Sequence, residues 1–183
     1  MATVQAVADT SLWGMDRIAF RTILMEYSIR KRQLYEKFLE GVPLLGALTP
    51  YERATVADAL EGLKFEDGDV ILSQGEAGDI FYILEEGEVR VTQSRSIYGN
   101  AYGKPIEVTR LYRGDYFGEI ALLTNKPRAA NVIAIGPARC LALNRKDFTQ
   151  LLGPCSEILK RNMNAYKTYE DILKEHPELE ITS

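Results

Sequence analysis

Two residues of opposite charge stand out in the stretch FGEIALLTNKPRAANV, residues 117–132. Arg128 carries a planar, permanently charged guanidinium, which can bind a phosphate through two parallel hydrogen bonds. Glu119 cannot bind a phosphate, because two anions repel each other, but it can accept a hydrogen bond from a sugar hydroxyl. A single loop that offers both groups suggests a nucleotide site.

The residues around these two charges could bring backbone groups to the same site. Gly118 has no Cβ and therefore permits a close approach of the ligand. Residues 119–123 predict one helical turn, whose first N–H groups would face an anion. From the residue pattern alone, the alternative is a Glu119–Arg128 salt bridge on an exposed loop.

Composition excludes several other kinds of site. The 183 residues carry a net charge of −4, which argues against a general nucleic-acid binder. One histidine and two cysteines leave almost no material for a transition-metal site or for catalysis by a nucleophile and a histidine base. We therefore expect no enzyme, no cofactor and no metal. Cys140 and Cys155 predict reduced, buried thiols in a cytoplasmic protein, and no apolar run reaches the ~20 residues of a membrane span.

The chain before and after the central part reads as helical. Residues 15–62 predict a helical N-terminal subdomain, with a helix over 15–40 that has Asp16 near its start. Thr49 and Glu52 predict a capping box for a second helix that ends at Gly62. Residues 145–183 predict C-terminal helices, the last of them continuous from Pro154, followed by a frayed tail.

Residues 63–144 predict a β domain. Short β-rich runs over 70–72, 80–84 and 89–91 are separated by glycines such as Gly87, and residues 94–105 read as a loop. Two further strands are predicted around Gly136. The fold class is therefore α+β: an eight-stranded β jelly-roll barrel flanked by N-terminal and C-terminal helices.

An internal repeat indicates a second, incomplete copy of this unit. Residues 2–24 align with residues 130–152 with several identities, and both predict two strands followed by a helix. We therefore interpret residues 1–14 as the remnant of a preceding domain, an upstream twin of the complete one.

The stretches ILSQGEAGDIFYILEEG (71–87) and FGEIALLTNKPRAANV (117–132) together resemble the two signatures of cyclic-nucleotide-binding domains. Further stretches, among them WGMDRIAFRTIL, YERATVADALE and LGPCSEILKRN, resemble the second, C-terminal domain of type I regulatory subunits of cAMP-dependent protein kinase. The likeness runs from about Ala2 to Tyr166.

This resemblance implies cAMP as the ligand and a role for each matching residue. It implies that Gly118, Glu119, Ile120 and Ala121 begin the phosphate-binding cassette, residues 117–132, with Glu119 on the ribose 2′-hydroxyl. It assigns Arg128 and the backbone N–H of Ala129 to the cyclic phosphate, Tyr166 to the base as an aromatic cap, and Leu122 to the coupling between the cassette and the last helix. Related domains that prefer cGMP usually carry Thr or Ser where Ala129 stands, so the resemblance favours cAMP.

The resemblance also implies partners. Binding of cAMP would shift the helices and lower the affinity of the intact protein for the catalytic subunit of the kinase. Tyr51 and Arg32 match residues that contact the ligand of the first domain, whose site is absent here.

Other classes remain as alternatives. A transcription factor with this domain would need a helix-turn-helix after the long helix, where only a short acidic tail follows. A metal-dependent enzyme on a jelly roll would need more than one histidine. A cGMP-type kinase, a gated channel and a nucleoside-sensing kinase subunit of a protist are the remaining alternatives. The protist subunits lack the cassette's Glu or Arg, and this sequence keeps both.

Overall fold

The computed structural model describes residues 2–97, 100–166 and 169–175. Helices lie at both ends of the chain, and an antiparallel sheet lies between them. In chain order the elements are α1 (Arg17–Leu39), a 3₁₀ turn (Pro43–Ala47), α2 (Pro50–Ala59), β1 (Glu61–Phe65), β2 (Val70–Leu72), β3 (Ile80–Ile97), β4 (Asn100–Leu111), β5 (Tyr116–Phe117), α3 (Glu119–Thr124), β6 (Asn131–Asn144), α4 (Arg145–Leu151), a second 3₁₀ turn (Gly153–Cys155), α5 (Ser156–Met163) and α6 (Tyr169–Glu175).

Both N-terminal helices begin at the capping residues that the sequence predicts. The Asp16 carboxylate accepts hydrogen bonds from the N–H groups of Ile18 and Ala19 at 2.8 and 2.9 Å. Thr49 and Glu52 form the predicted capping box, an arrangement whose loss costs a helix about 1 kcal/mol. Helix α2 ends earlier than predicted, because residues 61–65 join the sheet as β1 and pair with β6.

The sheet has the strand order β1-β6-β3-β4, with β2 added to β6 and β5 added to β3. All the pairs are antiparallel. The described residues thus form six strands instead of the predicted eight, because β3 and β6 are each one long strand where the sequence predicts two.

Glycines bend these long strands without ending them. Gly87 and Gly136 lie inside β3 and β6 with φ values of +91° and +69°, which favour glycine. A Cβ at Gly87 would come within 2.5 Å of the carbonyl oxygen of Pro137. The register between the two strands shifts on either side of Glu86. The glycine that reads as a turn in the sequence is therefore a bulge in the structure.

The prediction of a loop over residues 94–105 is also wrong, since most of these residues belong to strands β3 and β4. Strands β3 and β4 pair from Val89–Leu111 out to Ile97–Asn100, and residues 98 and 99 lie outside the described part of the chain. The polar composition of this stretch predicts a loop. Strands of a hairpin are held by pairing of their backbones, however, so the low β-propensity of the side chains does not prevent a strand from forming here.

The sheet and the helices enclose the larger of two apolar cores. Phe81 from β3 lies at its centre, with ring centroids 5.1 Å from Phe148 and 5.7 Å from Tyr116. This core joins α1 and α2 to α3, α4 and α5. A smaller cluster fills the inside of the sheet around Leu84, Val89 and Cys140.

The C-terminal helix is interrupted where the sequence predicts continuity. Helix α5 ends at Met163, and the N–H groups of Ala165 and Tyr166 bond three residues back, to Asn162 and Met163. Asparagine favours such helix ends. The break turns the chain so that Tyr166 reaches the pocket described below.

The strands that the sequence predicts within residues 2–14 are not formed. Residues 2–16 contain no helix or strand, and residues 2–14 are exposed. A strand is stable only when its backbone pairs with another, and no described strand of the sheet pairs with this segment.

Candidate functional site

The cassette places a left-handed glycine at the start of a short helix. Gly118 follows β5 with φ of +88° and is the N-cap of α3, whose C-cap, Asn125, is also left-handed with φ of 55°. A Cβ at position 118 would lie 2.8 Å from Arg128 Nη1 and 3.0 Å from the carbonyl oxygen of Ile80. Both the backbone conformation and the space beside Arg128 therefore require glycine here.

Arg128 is buried and held by backbone carbonyls. Its Nη1 donates to the carbonyl oxygen of Gly118 at 2.7 Å, and its Nη2 donates to that of Ile80 at 2.8 Å. Its side chain also passes directly over Gly78, where a Cβ would lie 2.2 Å from Nε. Only 7% of Arg128 is exposed. The guanidinium thus has a fixed position with neutral acceptors.

The environment of Arg128 favours an anion. Burial lowers the pKa of its guanidinium, and the nearby acidic groups Tyr82, Asp79 and Glu119 only partly offset that effect. A buried cation is stabilised when a negative group reaches it. In the described part of the chain, no ion pair within 4.0 Å joins Arg128 to a carboxylate, so an anionic ligand would supply what the fold does not.

Glu119 is also buried, with 2% of its surface exposed. Burial raises the pKa of its carboxyl, while a hydrogen bond from its own backbone, one from the hydroxyl of Tyr166 and the charge of Arg128 act in the opposite direction. The alternative of an exposed Glu119–Arg128 salt bridge is therefore wrong on both counts: the two residues are buried, and no such ion pair occurs among the described residues.

Tyr166 lines the same pocket from the C-terminal side. Its hydroxyl lies near Glu119 and Tyr116, and partial burial, followed by the charge of Glu119, raises its pKa. Asn162 Nδ2 donates to the hydroxyl of Tyr116 at 2.9 Å. Of Tyr166, 43% is exposed, so the ring covers the pocket mouth with one side toward solvent.

These groups surround one cavity of about 430 Å³, a volume typical of small-molecule sites. The cassette forms one wall with Arg128 and Glu119, and apolar residues of the sheet form the opposite wall. Its lining includes Leu72, Val91, Gln93, Val108, Thr109, Leu111, Tyr116, Phe117, Gly118, Glu119, Ile120, Ala121, Arg128, Ala129, Ala130, Val132, Ala165 and Tyr166. One charged end and one apolar wall suit a ligand with an anionic group and a flat apolar part.

The structure therefore brings together seven of the residues that the sequence singles out: Gly118, Glu119, Ile120, Ala121, Arg128, Ala129 and Tyr166. Leu122 lies behind the cavity, 8% exposed, in the core that it shares with Leu159 of α5. Tyr51 and Arg32 lie elsewhere. Tyr51 is 83% exposed on α2, and Arg32 forms ion pairs with Asp58 and Glu36.

Sequence reasoning missed three residues that shape the site. Gly78 makes room for Arg128, and Tyr116 lies near the hydroxyl of Tyr166. Arg145 donates to Asp79 Oδ1 at 2.7 Å, to the carbonyl oxygen of Gly78 at 2.8 Å and to Asn125 Oδ1 at 2.8 Å. Arg145 therefore joins the loop under Arg128 to the end of α3. The sequence signal for Gly78 is the glycine itself, in the stretch GEAGD, and that pattern predicts a turn.

The described residues contain no metal-binding cluster and no membrane-spanning helix. No group of three or more His, Cys, Asp or Glu side chains there is placed to hold a metal ion. Among the same residues, no helix is long and apolar enough to cross a membrane.

Comparison with known proteins identifies several relatives. Residues 63–154 match the cyclic nucleotide-binding domain family. The chain is 47% identical over 168 residues to a cAMP-dependent protein kinase regulatory subunit of Blastocladiella emersonii, covering 92% of this chain and 40% of that protein. The chain thus spans well under half of that relative.

Two solved structures are similar to it. The regulatory domain of Toxoplasma gondii PKA with cAMP superposes with a TM-score of 0.77 at 42% identity, covering 82% of this chain and 56% of that one. The regulatory subunit of a cAMP-independent protein kinase A from Trypanosoma brucei superposes with a TM-score of 0.70 at 36% identity, covering 82% of this chain and 53% of that one.

Proposed function

Because this chain belongs to the family of cyclic nucleotide-binding domains, we propose that its pocket binds cAMP and that the chain is a regulatory module of cAMP-dependent protein kinase. The observation that carries this proposal is the buried guanidinium of Arg128, oriented by two carbonyls and facing a cavity that also contains the buried carboxylate of Glu119. A cyclic phosphate would supply the anion, and its ribose would supply the hydroxyl.

Each cassette residue then has a specific contact. Arg128 binds the cyclic phosphate, and the backbone of Ala129 donates its N–H to it. Glu119 accepts a hydrogen bond from the ribose 2′-hydroxyl. Gly118, Ile120 and Ala121 contribute the backbone at the start of α3, where free N–H groups favour an anion.

The choice of base follows from residues around the rest of the cavity. Tyr166 stacks on the base, a contact worth about 1–3 kcal/mol. Ala129 has no hydroxyl, so the amino group of guanine would lack a partner there, which favours cAMP over cGMP. The apolar wall, which includes Val108 and Leu111, covers the face of the ring.

Leu122 would transmit occupancy to the C-terminal helices. It sits at the back of α3 and packs in the same core as Leu159 and Cys155. An inward movement of α3 toward a bound phosphate would therefore displace α5, and Tyr166 would close over the base. Ligand binding would select one of two arrangements that differ in affinity for cAMP.

In the intact protein, the same shift would lower affinity for the catalytic subunit and so activate the kinase. The chain itself would have no catalytic activity and would act in the cytoplasm. Exposed Tyr51 and Arg32 would contact the ligand of an upstream twin domain. The exposed apolar side of α1, with Phe20, Ile23 and Tyr27 each more than half exposed, would pack against that domain.

A nucleoside sensor is the second candidate, because the chain also resembles the regulatory subunit of a cAMP-independent protein kinase A from Trypanosoma cruzi bound to guanosine. A neutral nucleoside has no phosphate and would leave Arg128 buried without an anion. The presence of both Arg128 and Glu119 in the cavity therefore favours the cyclic nucleotide.

The test is calorimetric titration of this chain with cAMP, cGMP and adenosine, repeated on Arg128→Lys. Lysine keeps the charge but cannot donate to two carbonyls and a phosphate in the same plane, so we expect cAMP affinity to fall by at least tenfold. Arg30→Lys is the matched control, because that arginine side chain is 77% exposed on α1. Binding of adenosine in preference to cAMP, or equal cAMP affinity for the Arg128 variant and the wild type, would refute the proposal.

A further inference from the structure

The loop between β2 and β3, residues 73–79, is bonded to the backbone of Arg128. The N–H of Gly75 donates to the carbonyl oxygen of Arg128 at 2.9 Å, and the N–H of Arg128 donates to the carbonyl oxygen of Glu76 at 2.8 Å. The same loop contains Gly78, over which the side chain of Arg128 passes. The position of this loop therefore affects both the backbone and the side chain of Arg128.

Gln74, near the start of this loop, binds it to β3. Its Nε2 donates to the carbonyl oxygen of Ser94 at 3.0 Å, and its Oε1 accepts from the N–H of the same residue at 2.8 Å. Ser94 is buried, so both of its backbone groups need a partner within the protein. The side-chain amide of Gln74 supplies both partners, as a neighbouring strand would.

Gln74 is also bonded to the end of the cassette. Its N–H donates to Asn131 Oδ1 at 2.8 Å, and Asn131 Nδ2 donates to the hydroxyl of Thr92 at 3.2 Å. Next to Thr92 on β3, Gln93 donates from Nε2 to the carbonyl oxygen of Ala129 at 3.1 Å. Three side-chain amides thus join the loop, β3 and the end of the cassette.

The backbone bonds of the loop would not fix Arg128 by themselves. Gly75 and Glu76 are exposed, so water competes for their hydrogen bonds. The bonds of Gln74 to Ser94 join a half-buried side chain to a buried residue, where a lost bond leaves a polar group unsatisfied and costs more. Loss of the Gln74 amide would therefore release the loop from β3.

We propose that Gln74 is a positioning residue for the phosphate-binding arginine: it fixes the loop over residues 73–79 to β3 and so holds Arg128 where the cyclic phosphate would meet it. This inference rests on the proposed function, because the phosphate is that of the cAMP that the pocket would bind. Gln74 is not among the residues that line the cavity. It acts through Arg128 and not on the ligand.

The first test measures cAMP affinity by calorimetric titration. Gln74→Met keeps the length of the side chain but has no amide for Ser94, so we expect affinity to fall about 5- to 20-fold, the factor that one or two hydrogen bonds contribute. Gln150→Met is the matched control, because that glutamine is exposed on α4, and its affinity should equal that of the wild type. Unchanged affinity in Gln74→Met would overturn the proposal.

A second variant covers the case in which Gln74→Met fails to fold. Gln74→Glu keeps an acceptor for the N–H of Ser94, but its ionised carboxylate cannot donate to the carbonyl oxygen. We expect a loss of cAMP affinity in the same range, and wild-type affinity in this variant would equally overturn the proposal.

A double-mutant cycle separates positioning from a general structural role. In an Arg128→Lys background there is no guanidinium to orient, so Gln74→Met should lower cAMP affinity by no more than about twofold further. An equally large loss in that background would show that Gln74 acts in some other way, and the proposal would be wrong.

A measurement without ligand separates this inference from the proposed function. In the ligand-free chain, the N–H groups of Gly75 and Arg128 should exchange with solvent faster in Gln74→Met than in the wild type. The N–H of Ala134 is the internal control, because it makes a similar bond between β6 and a loop, to the carbonyl oxygen of Asp69 at 2.9 Å. Its exchange should not change.

The outcomes are distinguishable. Failure of the wild type to bind cAMP would refute the proposed function alone. Unchanged exchange at Gly75 and Arg128, or an equal increase at Ala134, would overturn the positioning role of Gln74 whatever the ligand result.

Discussion

The substitution Gly78→Ala tests the position of Arg128 without altering Arg128 itself. The φ of Gly78 lies outside the left-handed region, so alanine is compatible with the backbone there. The added Cβ would, however, lie 2.2 Å from Nε, 2.4 Å from Cζ and 2.7 Å from Cδ of Arg128. Ordinary contact between such atoms begins near about 3.5 Å, so the arginine must move by about 1.3 Å.

A shift of that size breaks the contacts that orient the guanidinium. Its two hydrogen bonds measure 2.7 and 2.8 Å, and each involves a charged donor, worth about 1.5–3 kcal/mol. In catalysis, a misplacement of about 1 Å can cost about 100-fold in rate, and we expect a similar factor for a misplaced binding group. We therefore expect cAMP affinity to fall about 100-fold, equivalent to about 2.7 kcal/mol, and the free energy of unfolding to fall by about 1–3 kcal/mol.

Calorimetric titration with cAMP and urea denaturation of the ligand-free protein measure the two effects. Gly46→Ala serves as the control, because a Cβ at that position would meet no atom within 4 Å and the backbone tolerates it. The reasoning fails if Gly78→Ala binds cAMP as tightly as the control does, since Arg128 would then not need the position described here.

Three further predictions concern Glu119, the two thiols and Asn131. Burial raises the pKa of Glu119 above its ordinary value of 4.5, so the native state binds more protons than the unfolded state, and stability should fall as pH rises from about 4.5 toward the native pKa. Glu119→Gln should remove this loss in urea titrations while weakening cAMP binding about tenfold or more; an unaltered pH profile would contradict it. Burial raises the pKa of the Cys140 thiol to about 12 and also raises that of Cys155, so a thiol reagent at pH 8 should label neither until denaturant is added. Asn131→Ala should lower the free energy of unfolding by about 1–2 kcal/mol, because two partners lose their bonds; a neutral effect would show that water replaces the amide.

Local chemistry made parts of the fold predictable. The caps of α1 and α2 depend on residues within one turn of each other, so Asp16, Thr49 and Glu52 could be assigned from the sequence and are confirmed. Strand β2, residues 70–72, is also confirmed. Gly87 could not be read correctly, because a turn and a bulge both favour glycine, and only the partner strand decides between them.

The residues of the site likewise include some that the sequence could identify and some that it could not. Glu119 and Arg128 have side chains whose chemistry points to a ligand, and the structure places both in the predicted pocket. Gly78 acts by having no side chain beside a residue fifty positions away in the sequence, which no local pattern records. Asn131 has no charge that points to a ligand, and its bonds to Gln74 and Thr92 depend on strand pairing.

The cavity contains two buried side chains of opposite charge, Arg128 and Glu119. Burial raises the pKa of Glu119 and lowers the pKa of Arg128, because it disfavours the charged form of each group. Part of the stability of the folded chain is therefore conditional, since a ligand that binds only the native state adds about 2.7 kcal/mol at 100 times its dissociation constant. In a cell, we expect that conditional stability to act on lifetime: chains that bind the nucleotide proposed for this pocket would resist proteases longest, so the concentration of that ligand would also regulate the abundance of the protein.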